Sequence, residues 1–167
     1  MINGVIAQKL QTLDEILGEL RSLGRVSAAT LREDWRTRRA VERDLQILVE
    51  VVIDVCQRLI ALAGQSPAPT GADAVARCVQ MGVLSDDDAY RQMVRFRSFV
   101  VHRYERIDVD VLAEVLNRRL PDFEQFRDEV LAYVAEQGVY IYESDRIHRS
   151  PPDPPGRRHA RPAAGRG

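Results

Sequence analysis

Apolar residues recur every three to four positions along most of this chain. Ile6, Leu10, Leu13, Leu17 and Leu20 form one such stripe, the mark of an amphipathic helix, and Gly24 is its natural stop. A longer helix is predicted from about Leu31 to Ala63. Its inward set includes Trp35, Val41, Leu45, Leu48, Val49, Val52, Val55, Cys56, Leu59 and Leu62, with Gly64 as C-terminal cap. Val and Ile between positions 45 and 55 favour strand by propensity, but the sustained helical period decides for helix. Gln65 to Gly71 reads as a loop, and Ala72 to Met81 as a short helix ending near Gly82. Ser85 with Asp88 three residues on resembles a capping box, with Asp in place of Glu. The helix it opens turns Met93, Phe96, Val100 and Val101 inward. Asp108 is a candidate cap for a helix from Val109 to Leu120, which Pro121 kinks or ends. Phe123, Phe126, Val130 and Val134 continue a stripe to about Gly138. No convincing strand pattern occurs. The expected fold is therefore all-α: an antiparallel helical bundle over residues 1–143.

Composition adds an asymmetry. Of 167 residues, 45% are hydrophobic, enough for a core, and the formal net charge is −1. Residues 144–167 hold six arginines against Asp145 and Asp153, so this stretch is basic and the remainder is acidic. From Ser150 it is Pro, Gly, Ala and Arg, which cannot offset ordering entropy by burial, so 144–167 is expected to be a disordered tail. Its arginines could add affinity for a polyanion by counterion release or simply solubilise. Cys56 and Cys78 have no disulfide framework and no zinc-ligand spacing, and read as core fillers in a reducing, cytoplasmic setting. No signal peptide or membrane span is expected. Polar residues interrupt the most apolar stretch, Leu45 to Ala63.

The candidate chemistry lies in Arg97-Ser98-Phe99-Val100-Val101-His102-Arg103-Tyr104, an R-x4-H-x-Y pattern. A guanidinium can hold non-bridging phosphate oxygens through two parallel hydrogen bonds. An imidazole can give or take a proton near neutral pH. A phenol can donate a hydrogen bond or accept a covalent group. Together they suit a phosphodiester. On an ideal helix Arg97 and His102 lie about 140° apart, so they do not share a face. Either the helix ends near His102, or two copies of the motif face each other.

With these residues, the chain resembles the HEPN-domain ribonucleases of the HepT type, toxins of HepT/MNT toxin–antitoxin pairs. Three segments carry the likeness. They are Ala40-Val41-Glu42-Arg43-Asp44-Leu45-Gln46 with its apolar helix, Gly82-Val83-Leu84 after the loop, and Phe96 to Asp108 around the motif. Leu120 to Phe126 closes the match, which spans about residues 5 to 136. The resemblance implies a HEPN-like bundle, a homodimer with the motif at its interface, and cleavage of single-stranded RNA without a metal or other cofactor. It implies that the 2′-OH attacks the adjacent phosphorus to leave a 2′,3′-cyclic phosphate. His102 would be the acid or base and Arg97 the group that neutralises developing charge. Ser98 and Arg103 would contact substrate. Tyr104 would be the acceptor of AMP from a minimal nucleotidyltransferase antitoxin, an adduct that blocks RNA and competes for Arg97. The family usually carries Asn or another amide, acid or imidazole where this chain has Ser98, which keeps a donor and an acceptor on a shorter stem.

Each residue also has a structural reading. Arg97 could pair with Asp86, Asp87 or Asp88 of another copy, or with Glu105. His102 could cap a helix C-terminus, and Tyr104 could pack under the next helix. Glu42, Glu50 and Asp54 read as structural hydrogen-bond partners. The competing function is a non-catalytic HEPN module that binds nucleotide or docks a nucleotidyltransferase.

Overall fold

The computed structural model of the chain describes residues 4–102 and 108–147, with side chains described at 4–99 and 108–138. Seven helices follow one another among these residues: α1 (Gly4–Ser22), α2 (Ala28–Glu33), α3 (Trp35–Leu62), α4 (Gly71–Gln80), α5 (Asp88–His102), α6 (Val109–Glu114) and α7 (Leu120–Ile147), with a π turn at Val115–Arg119 between the last two. The described residues contain no strand. The fold is an all-α helical bundle. No described helix is long and apolar enough to cross a membrane.

Helix α3 is the axis of the bundle and packs against α1, α2, α4, α5 and α6. Its stripe Leu45, Leu48, Val49, Val52, Val55 and Cys56 is fully buried. Each such side chain stabilises by about 1.5–3 kcal/mol relative to exposure. The predicted α1 stripe is buried as well, with Ile16 added. At the end of α3, Gly64 adopts φ +72°, and Gln65 N–H bonds Ile60 O at 3.1 Å. That geometry is the left-handed glycine stop expected there. Cys56 and Cys78 are both buried and free, with the Cys78 thiol 3.7 Å from Cys56 O.

Five local expectations are corrected. The long helix does not begin at Leu31. Asp34 is extended (φ −99°, ψ 92°) and its carboxylate accepts from the Arg36 and Thr37 amides, so Leu31 belongs to the separate α2. Trp35 and Leu62 do not face inward but are 59% and 53% exposed. They stand at the two ends of α3, and the Arg36 guanidinium lies 5.3 Å from the Trp35 ring. Ser85 does not cap α5. Its amide and hydroxyl both bond Glu129, and Asp87 Oδ1 takes the Ala89 amide instead. Asp108 does cap α6, accepting from the Asp110 amide, but the helix expected to run on to Leu120 passes into the π turn after Glu114. Pro121, in the first turn of α7, has no amide hydrogen, and the widened turn before it absorbs that loss. Helix α7 continues past Gly138 to Ile147. Residues 148–167, with His148, His159 and most of the tail arginines, lie outside the described residues.

Candidate active site

Helix α5 carries the motif, and its first turns are fixed firmly. Asp86 and Asp88 pair with Arg91 at 2.6 and 3.1 Å. Tyr90, 1% exposed, donates to Glu129 Oε2 at 2.8 Å and meets the Phe126 ring edge-on at 6.2 Å. Glu129 also accepts from Ser85 N, Ser85 Oγ and Gln125 Nε2. Burial pushes the Tyr90 phenol up, and the neighbouring Glu129 carboxylate adds to this. At Glu129 burial raises the carboxyl, but the bonds from Ser85, Tyr90 and Gln125 outweigh it and hold the group below its ordinary range. Met93 and Phe96 then bury the inner face. The orientation of α5 is therefore set by one hydrogen-bonded carboxylate on α7 and two core side chains.

The outer end of α5 differs. Arg97 and Ser98 are exposed, and Arg97 has no ion pair or hydrogen bond among the described residues. The acids of 86–88, which could have claimed it, are engaged by Arg91, Gln92, Gln125 and the Ala89 amide. The helix is unbroken through His102. Arg97 and His102 are thus about 7.5 Å apart along one helix axis. Arg103 and Tyr104 lie outside the described residues, as does Glu105. Glu42, Glu50 and Asp54 pair with Arg39, Gln46 and Lys9 respectively, as structural partners. Among the described residues no group of three or more His, Cys, Asp or Glu is placed to hold a metal ion.

Sequence reasoning missed two features of this region. One is the Tyr90–Glu129 anchor. Tyr90 lies three residues before Met93 on the same stripe, but its partner is 39 residues away and no local pattern announces it. The other is a cleft of about 260 Å³ between α3, α5, α6, the π turn and α7. Buried Val49, Phe96 and Phe123 form its floor, and Phe99, 43% exposed, stands at its wall. Gln92, Arg95, Glu114 and Arg119 edge it. Arg119 donates to Gln92 Oε1 at 2.8 Å, and Gln92 Nε2 donates to Asp88 at 2.7 Å, so the Gln92 amide is oriented. Burial raises the Asp122 carboxyl at the same cleft, against the pull of Arg119 at 3.5 Å.

Comparison with known proteins places this arrangement among relatives. A family model described as ribonuclease HepT-like matches residues 13–130, a span that includes all of α5. The mRNA nuclease HepT of Shewanella oneidensis is 23% identical over 133 residues, covering 78% of this chain and 99% of the relative. A solved structure of the tri-AMPylated Shewanella oneidensis HEPN toxin in complex with MNT antitoxin superposes with a TM-score of 0.71 at 22% identity, over 78% of this chain and 99% of that one. A toxin–antitoxin crystal structure with AMP-PNP gives 0.69 at 23% identity with the same coverage. These structural likenesses establish a common fold.

Proposed function

This chain belongs to the ribonuclease HepT-like family, and we propose that it is an RNA-cleaving toxin restrained by a nucleotidyltransferase antitoxin. The observation that carries this reading is the state of Arg97. It is a permanently charged group inside the matched span, exposed and without an ion pair among the described residues, on a helix whose other end is rigidly held. An anion is its natural complement. The relatives point to the same chemistry: one is named an mRNA nuclease, and another is an AMPylated toxin bound to an antitoxin.

The reaction needs no metal in this reading. The substrate 2′-oxygen attacks the adjacent phosphorus as its proton passes to a base. The P–O5′ bond breaks, the 5′-oxygen takes up a proton, and a 2′,3′-cyclic phosphate remains. His102 supplies acid or base function. Arg97 stabilises the charge that builds on the non-bridging oxygens. Ser98 and Arg103 hold the neighbouring backbone. Because Arg97 and His102 diverge on one helix, a homodimer that brings two motifs together completes the site. Tyr104 is the regulatory acceptor. Its oxygen attacks the α-phosphorus of ATP on the antitoxin, pyrophosphate leaves, and the added phosphate and bulk occupy the space that RNA needs.

The test is induced expression of wild type, His102→Ala and Arg97→Ala in bacteria, with growth and RNA termini followed. Growth arrest with cyclic-phosphate ends in the wild type alone is expected. Arrest in both variants would remove the catalytic assignment. Soluble wild-type protein with intact RNA, still forming a complex with a nucleotidyltransferase, would instead favour the non-catalytic binding module.

A further inference from the structure

The cleft lies beside α5, the helix that also carries Arg97. Residues of the motif helix supply both: Gln92, Arg95, Phe96 and Phe99 line the cleft, and Arg97 follows within the same turns. His102 is three residues after Phe99, about 4.5 Å farther along the axis. A volume of about 260 Å³ lies below the usual range of whole-ligand pockets and suits one ring-sized group. The aromatic floor and wall offer a stacking surface of the kind that single-stranded RNA readers use.

We propose that this cleft receives one unstacked base next to the scissile phosphate and prefers a base with an exocyclic amino group to uracil. This inference rests on the ribonuclease reading and deepens it. Glu114 carries the preference. It is exposed, it lines the cleft, and it has no hydrogen bond or ion pair among the described residues. A carboxylate accepts from the exocyclic amino group of cytosine, adenine or guanine, whereas uracil has no such group and flanks its single ring N3–H with two carbonyl oxygens that a carboxylate repels. Arg119 does not neutralise Glu114, because its contacts go to Gln92 and Asp122. Arg95, exposed at the mouth and with no hydrogen bond or close ion pair among the described residues, holds the adjoining phosphate. Phe99 stacks on the inserted base.

The experiment uses purified full-length protein and short single-stranded RNAs that differ only at the nucleotides flanking the cleaved bond. Wild type should cut amino-bearing bases at one flanking position about tenfold faster than uracil. Glu114→Gln, whose amide offers a donor as well as an acceptor, should cut the uracil substrate at least as fast as wild type and lose most of the discrimination. Phe99→Ala should slow every substrate and leave the ratio between them. The same RNAs are then titrated against His102→Ala and His102→Ala/Glu114→Gln by fluorescence anisotropy, which reads the base site without cleavage. An equal base preference with and without Glu114, in cutting and in binding, would overturn the cleft assignment while leaving the ribonuclease intact. A preference in binding that Glu114→Gln abolishes, with no cutting by wild type, would keep the cleft and overturn the ribonuclease reading.

Discussion

The two ends of α5 follow opposite rules. At its start each acid is matched: Asp86 and Asp88 with Arg91, Asp87 with Gln125, and Tyr90 with Glu129. Toward its end Arg97 stands exposed, with no ion pair or hydrogen bond among the described residues. The first arrangement stabilises a helix by satisfying polar groups and burying Tyr90. The second leaves a charge whose interactions with the rest of the chain contribute little to folding. A residue that stabilises nothing locally is open to a ligand, and a helix held at one end can present its other end in a fixed direction.

Separating the two ends by mutation should produce the largest effect at the outer one. Arg97→Ala and His102→Ala should each lower RNA cleavage by at least about 100-fold, the usual scale for losing an acid–base or charge-stabilising group. At Arg97, exposed and unpaired, the thermal midpoint should stay within about a degree of wild type, because exposed sites away from special features change stability by under about 0.5 kcal/mol. Calorimetry beside a single-turnover assay decides it. A midpoint that falls in step with activity would make Arg97 structural.

The inner end should respond in reverse. Glu129→Ala leaves the Tyr90 hydroxyl and the Ser85 amide without their acceptor, at a cost of about 1–3 kcal/mol. Denaturant unfolding should show this directly. Activity per folded molecule should fall far less than in the Arg97 variant, unless the tilt of α5 is itself limiting.

The pH dependence of stability sharpens the same contrast. Glu129 is held below its ordinary value in the folded state, so its contribution is present above the unfolded carboxyl range near 4.5 and is lost as pH falls through the folded value. Tyr90 is held above its ordinary value of 10, so its contribution is present below pH 10 and is lost as pH rises beyond it. These two groups should therefore leave stability flat across neutral pH and lower it on both sides. Tyr90→Phe should flatten the alkaline limb, and Glu129→Gln should weaken the acid limb. An unchanged alkaline limb in Tyr90→Phe would break the assignment.

What the sequence made legible follows from the range of each interaction. The stripe of α1, the glycine stop at Gly64 and the Asp108 cap depend on neighbours within a turn or two, and all three appear as expected. On the motif helix Met93 and Phe96 are buried as their spacing predicts and Arg97 is exposed, while Val100 and Val101, also expected inward, lie outside the described side chains. Periodicity failed at the ends of a stripe. Trp35 and Leu62 keep the spacing of α3 but stand exposed at its two ends. It failed also where a polar side chain had two suitors. Ser85 suits a local cap, yet Glu129 of α7 offers two hydrogen bonds to its amide and hydroxyl. The cleft needs five elements together, so nothing within one segment could announce it.

The smallest expected effect tests whether the π turn belongs with the rigid or the open part of the molecule. Asn117, within that turn, donates to Val26 O at 2.7 Å and accepts from Val26 N at 3.1 Å. Its amide thereby stands in for a backbone partner to the loop between α1 and α2. The same turn supplies Val115 and Arg119 to the cleft. Asn117→Ala removes both bonds, but the site is part-exposed and water can replace them, so the loss should be about 1 kcal/mol. If the turn is held mainly by the core residues Leu116 and Leu120, base preference should survive this loss unchanged. Should Asn117→Ala instead erase the preference while costing no more stability, the loop from α1 would be a support of the cleft, and the boundary between anchored and open regions would run through the π turn rather than along α5.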